Sequence, residues 1–146
     1  MAAHDLLAAV MRGELTRNGF TELRTPEEVD AALAAPGTTL VAVNSSCGCA
    51  GGTMRPAMVE VLRRGPKPDR AVTVFASGDV EATARAREYF TGYPPSSPAI
   101  ALLRDGELVF MLERHDIKPS TPADVAARVT EVLQRFVGAD GERAPA

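Results

Sequence analysis

The chain has 146 residues, 45% of them hydrophobic and 24% charged, the composition of a globular protein long enough to bury roughly two-thirds of its unfolded surface around one core. Its 16 basic and 19 acidic residues leave a formal charge of -3 and are scattered along the chain without a basic stripe, which argues against nucleic acid as a partner. The apolar residues Leu6, Leu7, Val10 and Met11 are interrupted by His4, Asp5, Arg12 and Glu14, so they make neither a signal-peptide core nor a membrane span, and a cytoplasmic protein is expected.

In chain order, the helical spacing of Leu6, Leu7, Val10 and Met11 predicts a first helix that stops near Asn18-Gly19. A short edge strand is possible at Phe20 to Leu23. Thr25-Pro26-Glu27-Glu28 opens a second helix with a cap residue, proline at its first position and acids in its first turn, ending by Pro36-Gly37. Thr39 to Val43 is an apolar, β-branched run suited to a strand buried on both faces, and the two cysteines, Cys47 and Cys49, follow it directly. Ala57, Met58, Val61 and Leu62 mark a third helix closed by Gly65-Pro66, and Ala71 to Phe75 the next buried strand. Asp79 is placed as the cap of a fourth helix carrying Ala82, Ala86, Tyr89 and Phe90, which ends at Gly92. Ala99 to Leu103 and Leu108 to Leu112 form a hairpin across Asp105-Gly106, and Val125, Val129, Val132, Leu133 and Phe136 form the stripe of a final helix capped by Thr121.

Strand-helix-strand alternation followed by a hairpin and a closing helix predicts an α/β fold with a mixed central sheet: a parallel centre, an antiparallel edge hairpin and helices on both faces. One domain over residues 1–138 is expected, with residues 139–146 a flexible tail. Several α/β folds share this order of elements; the positions of the cysteines and of one proline point to the thioredoxin-like one.

Two cysteines separated by one residue close too short a loop to restrain the unfolded chain, so stabilisation is not their purpose. In a reducing compartment a close pair is catalytic or metal-binding more often than structural. Cys47 and Cys49 stand where a buried strand ends and a helix begins, near unpaired backbone N–H groups and the positive end of the helix dipole. Both features favour the thiolate, and such cysteines titrate below the ordinary value of about 8.5. Gly48 suits the intervening position, because a bond between residues two apart folds the chain back and glycine alone adopts positive φ freely. The resulting strain would make the disulfide labile. Gly51-Gly52 would let a bulky adduct approach. Two inert cysteines are the bland alternative. A zinc or iron-sulfur site wants four soft ligands, for which the chain offers only these two and the distant His4 and His115, so no metal is expected. A phosphate loop over Ser45 to Gly52 lacks the required Gly-Lys-Ser/Thr ending.

The chain resembles thioredoxin-like proteins at Ser97-Pro98, which precedes the strand Ala99 to Leu103 where those proteins place a cis-proline. The resemblance implies a cis bond at Pro98 and a neighbouring backbone, at Ser97, that pairs with an extended substrate beside the thiolate. Arg55, early in the helix after the cysteines, either stabilises a thiolate, holds an anionic thiol ligand, or is a solvated surface arginine. Pro56 either starts that helix or kinks it. His115 either tunes proton transfer or is a bystander. Asn44, at the strand end, is counted among the residues that shape the site.

The chain further resembles the bacilliredoxins, which carry Cys-Gly-Cys where thioredoxin has Cys-x-x-Cys. The likeness runs through Thr38 to Ala50, Arg55-Pro56-Ala57, Thr73 to Ala76, Arg87 to Gly92, Pro95 to Pro98 and Arg114-His115, with departures at Ser46 and at Gly52-Thr53-Met54. It implies removal of bacillithiol from S-thiolated cytosolic proteins, with bacillithiol the low-molecular-weight co-substrate and no tightly bound cofactor. Cys47 would attack the adduct, and either Cys49 or a second bacillithiol would release it. Alternatives are a protein disulfide isomerase or general disulfide reductase and, farther away, a non-catalytic binding or metal-delivery module.

Overall fold

A computed structural model describes residues 3–138; the flexible tail expected over residues 139–146 lies outside the described residues. The chain runs α1 (Ala3–Thr16), β1 (Thr21–Glu22), α2 (Pro26–Leu33), β2 (Thr38–Asn44), a π-helical turn (Ala50–Met54) leading into α3 (Arg55–Arg64), then β3 (Arg70–Phe75), α4 (Val80–Glu88), β4 (Ala99–Arg104), β5 (Glu107–Leu112), α5 (Arg114–Ile117) and α6 (Pro122–Leu133), with a second π-helical turn at Gln134–Gly138.

The strands form one sheet in the order β1-β3-β2-β4-β5. β1, β3 and β2 are parallel, whereas β4 runs antiparallel to β2 and β5 antiparallel to β4. The central strand β2 is buried along its whole length, and the two-residue period of a strand divides its side chains between two cores. Leu40 and Ala42 join Ile100 and Leu102 of β4 under α3 and α6. Val41 and Val43 join Ala101 and Leu103 on the opposite face, under α2 and α4. Each fully buried Leu, Ile or Val side chain among these contributes about 1.5 to 3 kcal/mol relative to exposure, which is why the uninterrupted apolar runs form the inner strands.

The helix starts follow their signals. The Thr25 hydroxyl accepts from the Glu28 N–H at 3.1 Å, and the Thr121 hydroxyl from the Asp124 N–H at 3.1 Å. At the hairpin, Asp105 and Gly106 take φ of 53° and 81°, the paired positive values of a two-residue turn that matches strand twist.

Three expectations change. Asp79 precedes α4 but makes no side-chain cap bond; its carboxylate accepts from Arg12 Nη1 at 2.6 Å and also pairs with Arg24, since a charge pair outcompetes a neutral cap contact. Leu6, Leu7 and Val10 are 54%, 55% and 51% exposed, so α1 packs instead through Leu15, with Met11 half-buried. The four-residue α5 has no counterpart in the predicted order, because one turn is too short to display a period.

Candidate active site

The turn that carries the cysteines is built by side chains that replace strand partners. β2 ends when the Asn44 side-chain carbonyl accepts the N–H of Ser45 at 2.9 Å, and the Ser45 hydroxyl then accepts the N–H of Cys47 at 3.2 Å. The Ser46 N–H is held by the Ser77 hydroxyl at 2.9 Å, tying the turn to the chain after β3. The carbonyl of Cys47 accepts from Ala50 at 3.0 Å and from Gly51 at 3.4 Å, starting the helix. In the π-helical turn that follows, the Arg55 N–H reaches back five residues to the Ala50 carbonyl. Pro56 has no N–H to offer a regular helix and its ring would crowd the carbonyl four residues back. The wider turn takes up that conflict, and α3 begins with Pro56 in its first turn.

Cys47 and Cys49 are both half-buried free thiols, with their sulfurs 3.3 Å apart. The two environments differ in sign. Cys47 is held below its ordinary thiol range first by the Cys49 backbone N–H, then by the Cys49 thiol, and further by the positive charge of Arg114. Cys49 is pushed up, first by burial and then by the neighbouring Cys47 sulfur. The pair thus contains one sulfur poised to ionise and one that keeps its proton, which is the division of labour between an attacking and a resolving thiol.

The peptide bond Ser97-Pro98 is cis. Val43 pairs with Ala99, so the register brings Pro98 level with Asn44, at the strand end from which the cysteine turn departs. Leu112 pairs with Ile100, so the chain leaving β5 emerges at the same end of the sheet. That path delivers Arg114, whose charge bears on both sulfurs. Sequence reasoning passed over Arg114 in favour of its neighbour. His115 has a 74% exposed side chain and sits 3.7 Å from the carboxylates of Glu113 and Asp116. Those three side chains lie close enough to share an ion, but both carboxylates already cap α5.

Arg55 is not the solvated surface arginine that is one of its three expected roles. It is buried, donating through Nε to Glu14 at 2.5 Å and through Nη1 to the Asn44 side chain and the Ser45 carbonyl at 2.9 Å each. Asn44 is likewise buried, donating to the Met11 carbonyl at 3.1 Å. Together they fasten α1 and α3 to the cysteine turn, so Asn44 shapes the site without facing it. Arg55→Met, which strips the buried arginine's bonds from Glu14, the Asn44 side chain and the Ser45 carbonyl, is expected to cost about 2 to 3 kcal/mol, read as a thermal midpoint lower by roughly 5 to 10 °C.

The glycines also differ from expectation. Gly48 is absent from the positive-φ glycines; it lies in the first helical turn, and a Cβ there would meet nothing within 4 Å. The reduced turn therefore places no demand on glycine, because no bond yet pulls the chain back. A Cβ at Gly51 would lie 2.7 Å from Arg55 Nη2, so its bare backbone accommodates the buried arginine rather than a ligand. Gly52, like Gly48, faces open space.

A thiol of lowered pKa at a helix start, a second thiol in contact with it and a cis-proline on the adjacent strand define a thiol-disulfide oxidoreductase of thioredoxin-like fold. Solved structures match that fold: a mutant thioredoxin from Halobacterium salinarum with a TM-score of 0.57 at 17% identity, covering 82% of this chain and 92% of that one, and oxidised thioredoxin O2 from Arabidopsis thaliana with 0.56 at 14%, covering 83% and 96%.

The family is narrower than the fold. Residues 4–137 match the protein family described as Disulphide isomerase. The bacilliredoxin of Geobacillus kaustophilus is 55% identical over 125 residues, 86% of each chain, and that of Halalkalibacterium halodurans 53% over 125 residues, again 86% of each. The chain belongs to the bacilliredoxin family.

Proposed function

We propose that the protein removes bacillithiol from S-bacillithiolated proteins by thiol-disulfide exchange at Cys47. The observation that carries this reading is the asymmetry of two sulfurs 3.3 Å apart, one favoured as thiolate and one as thiol, in a chain whose relatives are bacilliredoxins. The Cys47 thiolate attacks the bacillithiol sulfur of the mixed disulfide and the client leaves as its thiolate, restored. Bacillithiol is then bonded to Cys47. The Cys49 thiol, losing its proton as it attacks the Cys47 sulfur, releases bacillithiol and leaves a Cys47-Cys49 disulfide. Alternatively a second bacillithiol attacks the bound one, freeing Cys47 and leaving oxidised bacillithiol. Electrons balance in every step, since each exchange breaks one S–S bond and makes another.

Gly48 enters on the first of these routes, where closing an S–S bond across one residue draws the backbone toward conformations that glycine reaches without a Cβ penalty. The backbone at Ser97, beside Pro98, is the proposed platform for an extended client strand.

Intact mass of a bacillithiolated client protein incubated with reduced wild type is expected to fall by one bacillithiol, and to stay unchanged with Cys47→Ala. Equal loss with both proteins would refute the reading. The family description favours a second reading, protein disulfide isomerisation. Refolding of a scrambled disulfide substrate without any loss of bacillithiol adduct would select it.

A further inference from the structure

A groove of about 510 Å³ opens beside the cis-proline loop, with Arg87, Ser97, Arg114 and Lys118 among its walls. That volume falls within the range of roughly 300 to 1,000 Å³ over which proteins take small ligands. Its charge is unbalanced. Among the described residues Arg12, Arg55 and Arg85 each pair with a carboxylate, whereas no carboxylate partner is found for Arg87, Arg114 or Lys118. The groove's one acidic wall residue, Glu113, is occupied capping α5.

Arg87 is the sharpest case. Among the described residues its Nε is buried with no hydrogen-bond partner, and its one side-chain hydrogen bond is a long one of 3.4 Å from Nη2 to the Ser96 carbonyl. Burial disfavours its charged form. A carboxylate from outside the chain would supply what is missing, and the planar guanidinium fork suits a carboxylate in two-point contact. Arg114 joins this groove to the reaction centre, because its charge also bears on both sulfurs. Its position is fixed where its N–H donates to the Ser96 hydroxyl at 2.7 Å.

We propose that this groove holds the carboxylate end of a small anionic thiol while the sulfur of that thiol is exchanged at Cys47. The inference rests on the exchange reading above and adds to it the place where the thiol's anionic end is held and the residues that select it. Arg87 and Lys118 bind the anion, and Arg114 sits between the anion and the sulfurs.

The test compares two simple disulfides, dithiodiglycolate, which carries a carboxylate on each half, and neutral hydroxyethyl disulfide. In each reaction Cys47 bonds to one half and expels the other as its thiolate, and Cys49→Ala retains the adduct for mass analysis. The ratio of the anionic to the neutral rate constant is measured in this background with Arg87→Gln, with the more exposed Lys118→Gln, and with Lys67→Gln as a charge control outside the groove. The ratio should fall roughly two- to fivefold for each groove substitution, should fall with added salt in the parent, and should stay at the parent value for Lys67→Gln. A ratio unmoved by both groove substitutions, or lowered equally by Lys67→Gln, overturns the proposal. If the ratio falls as expected while a bacillithiolated protein is left untouched, the groove stands and the identity of the thiol is what fails.

Discussion

Replacing Cys47 with alanine is expected to abolish reduction of small and mixed disulfides, a loss of roughly a thousandfold or more in the second-order rate, whereas Cys49→Ala keeps the first exchange and stalls after it. The difference follows from where the helix begins. The Cys49 N–H points at the Cys47 sulfur and stabilises its thiolate, whereas at Cys49 burial and the proximity of Cys47 outweigh the hydrogen bond and charge of Arg114 and favour the thiol. Removing Cys47 takes away the nucleophile; the sulfur that remains is the one the fold holds as a thiol. Removing the Cys49 thiol takes away one contact that lowers Cys47 but leaves it the backbone N–H donors and the positive charge of Arg114, so attack continues and the mixed disulfide persists until an external thiol resolves it. Stopped-flow reduction of hydroxyethyl disulfide by each reduced variant checks both halves.

The second large effect is on the pH dependence of that attack. Only the thiolate reacts, so alkylation of reduced protein by limiting iodoacetamide should rise with pH through the Cys47 titration and level off at a lower pH than an ordinary thiol does. Below its titration the rate should fall about tenfold per pH unit, as the thiolate fraction does. The Cys49 branch should appear only at higher pH, since its shift has the opposite sign. Arg114→Gln removes a cation that lowers Cys47, so the plateau moves to higher pH and the neutral-pH rate drops, by up to about fivefold for a charge contact of this partly exposed kind. High salt should shrink the difference between wild type and Arg114→Gln. A profile for Arg114→Gln that overlays wild type at low salt would refute the electrostatic role.

Much of this site was legible before the fold, and the reasons are local. A β-branched run ending in Asn44-Ser45-Ser46 announces a strand that stops, and cysteines set immediately after it must stand at the opening of whatever helix follows. Pro98 sits just before another apolar run, a pattern visible within eight residues. What stayed hidden depends on contacts between distant residues. The Arg55 guanidinium is buried because Glu14, on α1, lies 41 positions away in sequence and is brought to 2.5 Å by packing; nothing in Arg55-Pro56-Ala57 signals that partner. Arg114 reaches the sulfurs through the register of β4 against β2 and of β5 against β4, and the short helix it opens has no periodicity to mark it. Gly48 departs from expectation for a different reason: a bonded pair calls for positive φ, and the reduced turn needs no such reversal.

The stability of the turn and its reactivity are linked through the same residues. Arg55 and Asn44 spend their hydrogen-bonding capacity on the backbone around Ser45 and on α1, which holds the donor groups of the first helical turn in place for Cys47. A loosened turn would lower both the thermal midpoint and the thiolate fraction, so Arg55→Met links the two readouts.

The central claim is that Cys47 is the sulfur that attacks, and the most direct measurement is peptide mass spectrometry of Cys49→Ala and Cys47→Ala after brief exposure to oxidised bacillithiol. The account predicts a bacillithiol adduct on Cys47 in Cys49→Ala and essentially none on Cys49 in Cys47→Ala. An adduct forming faster on Cys49 than on Cys47 would contradict it.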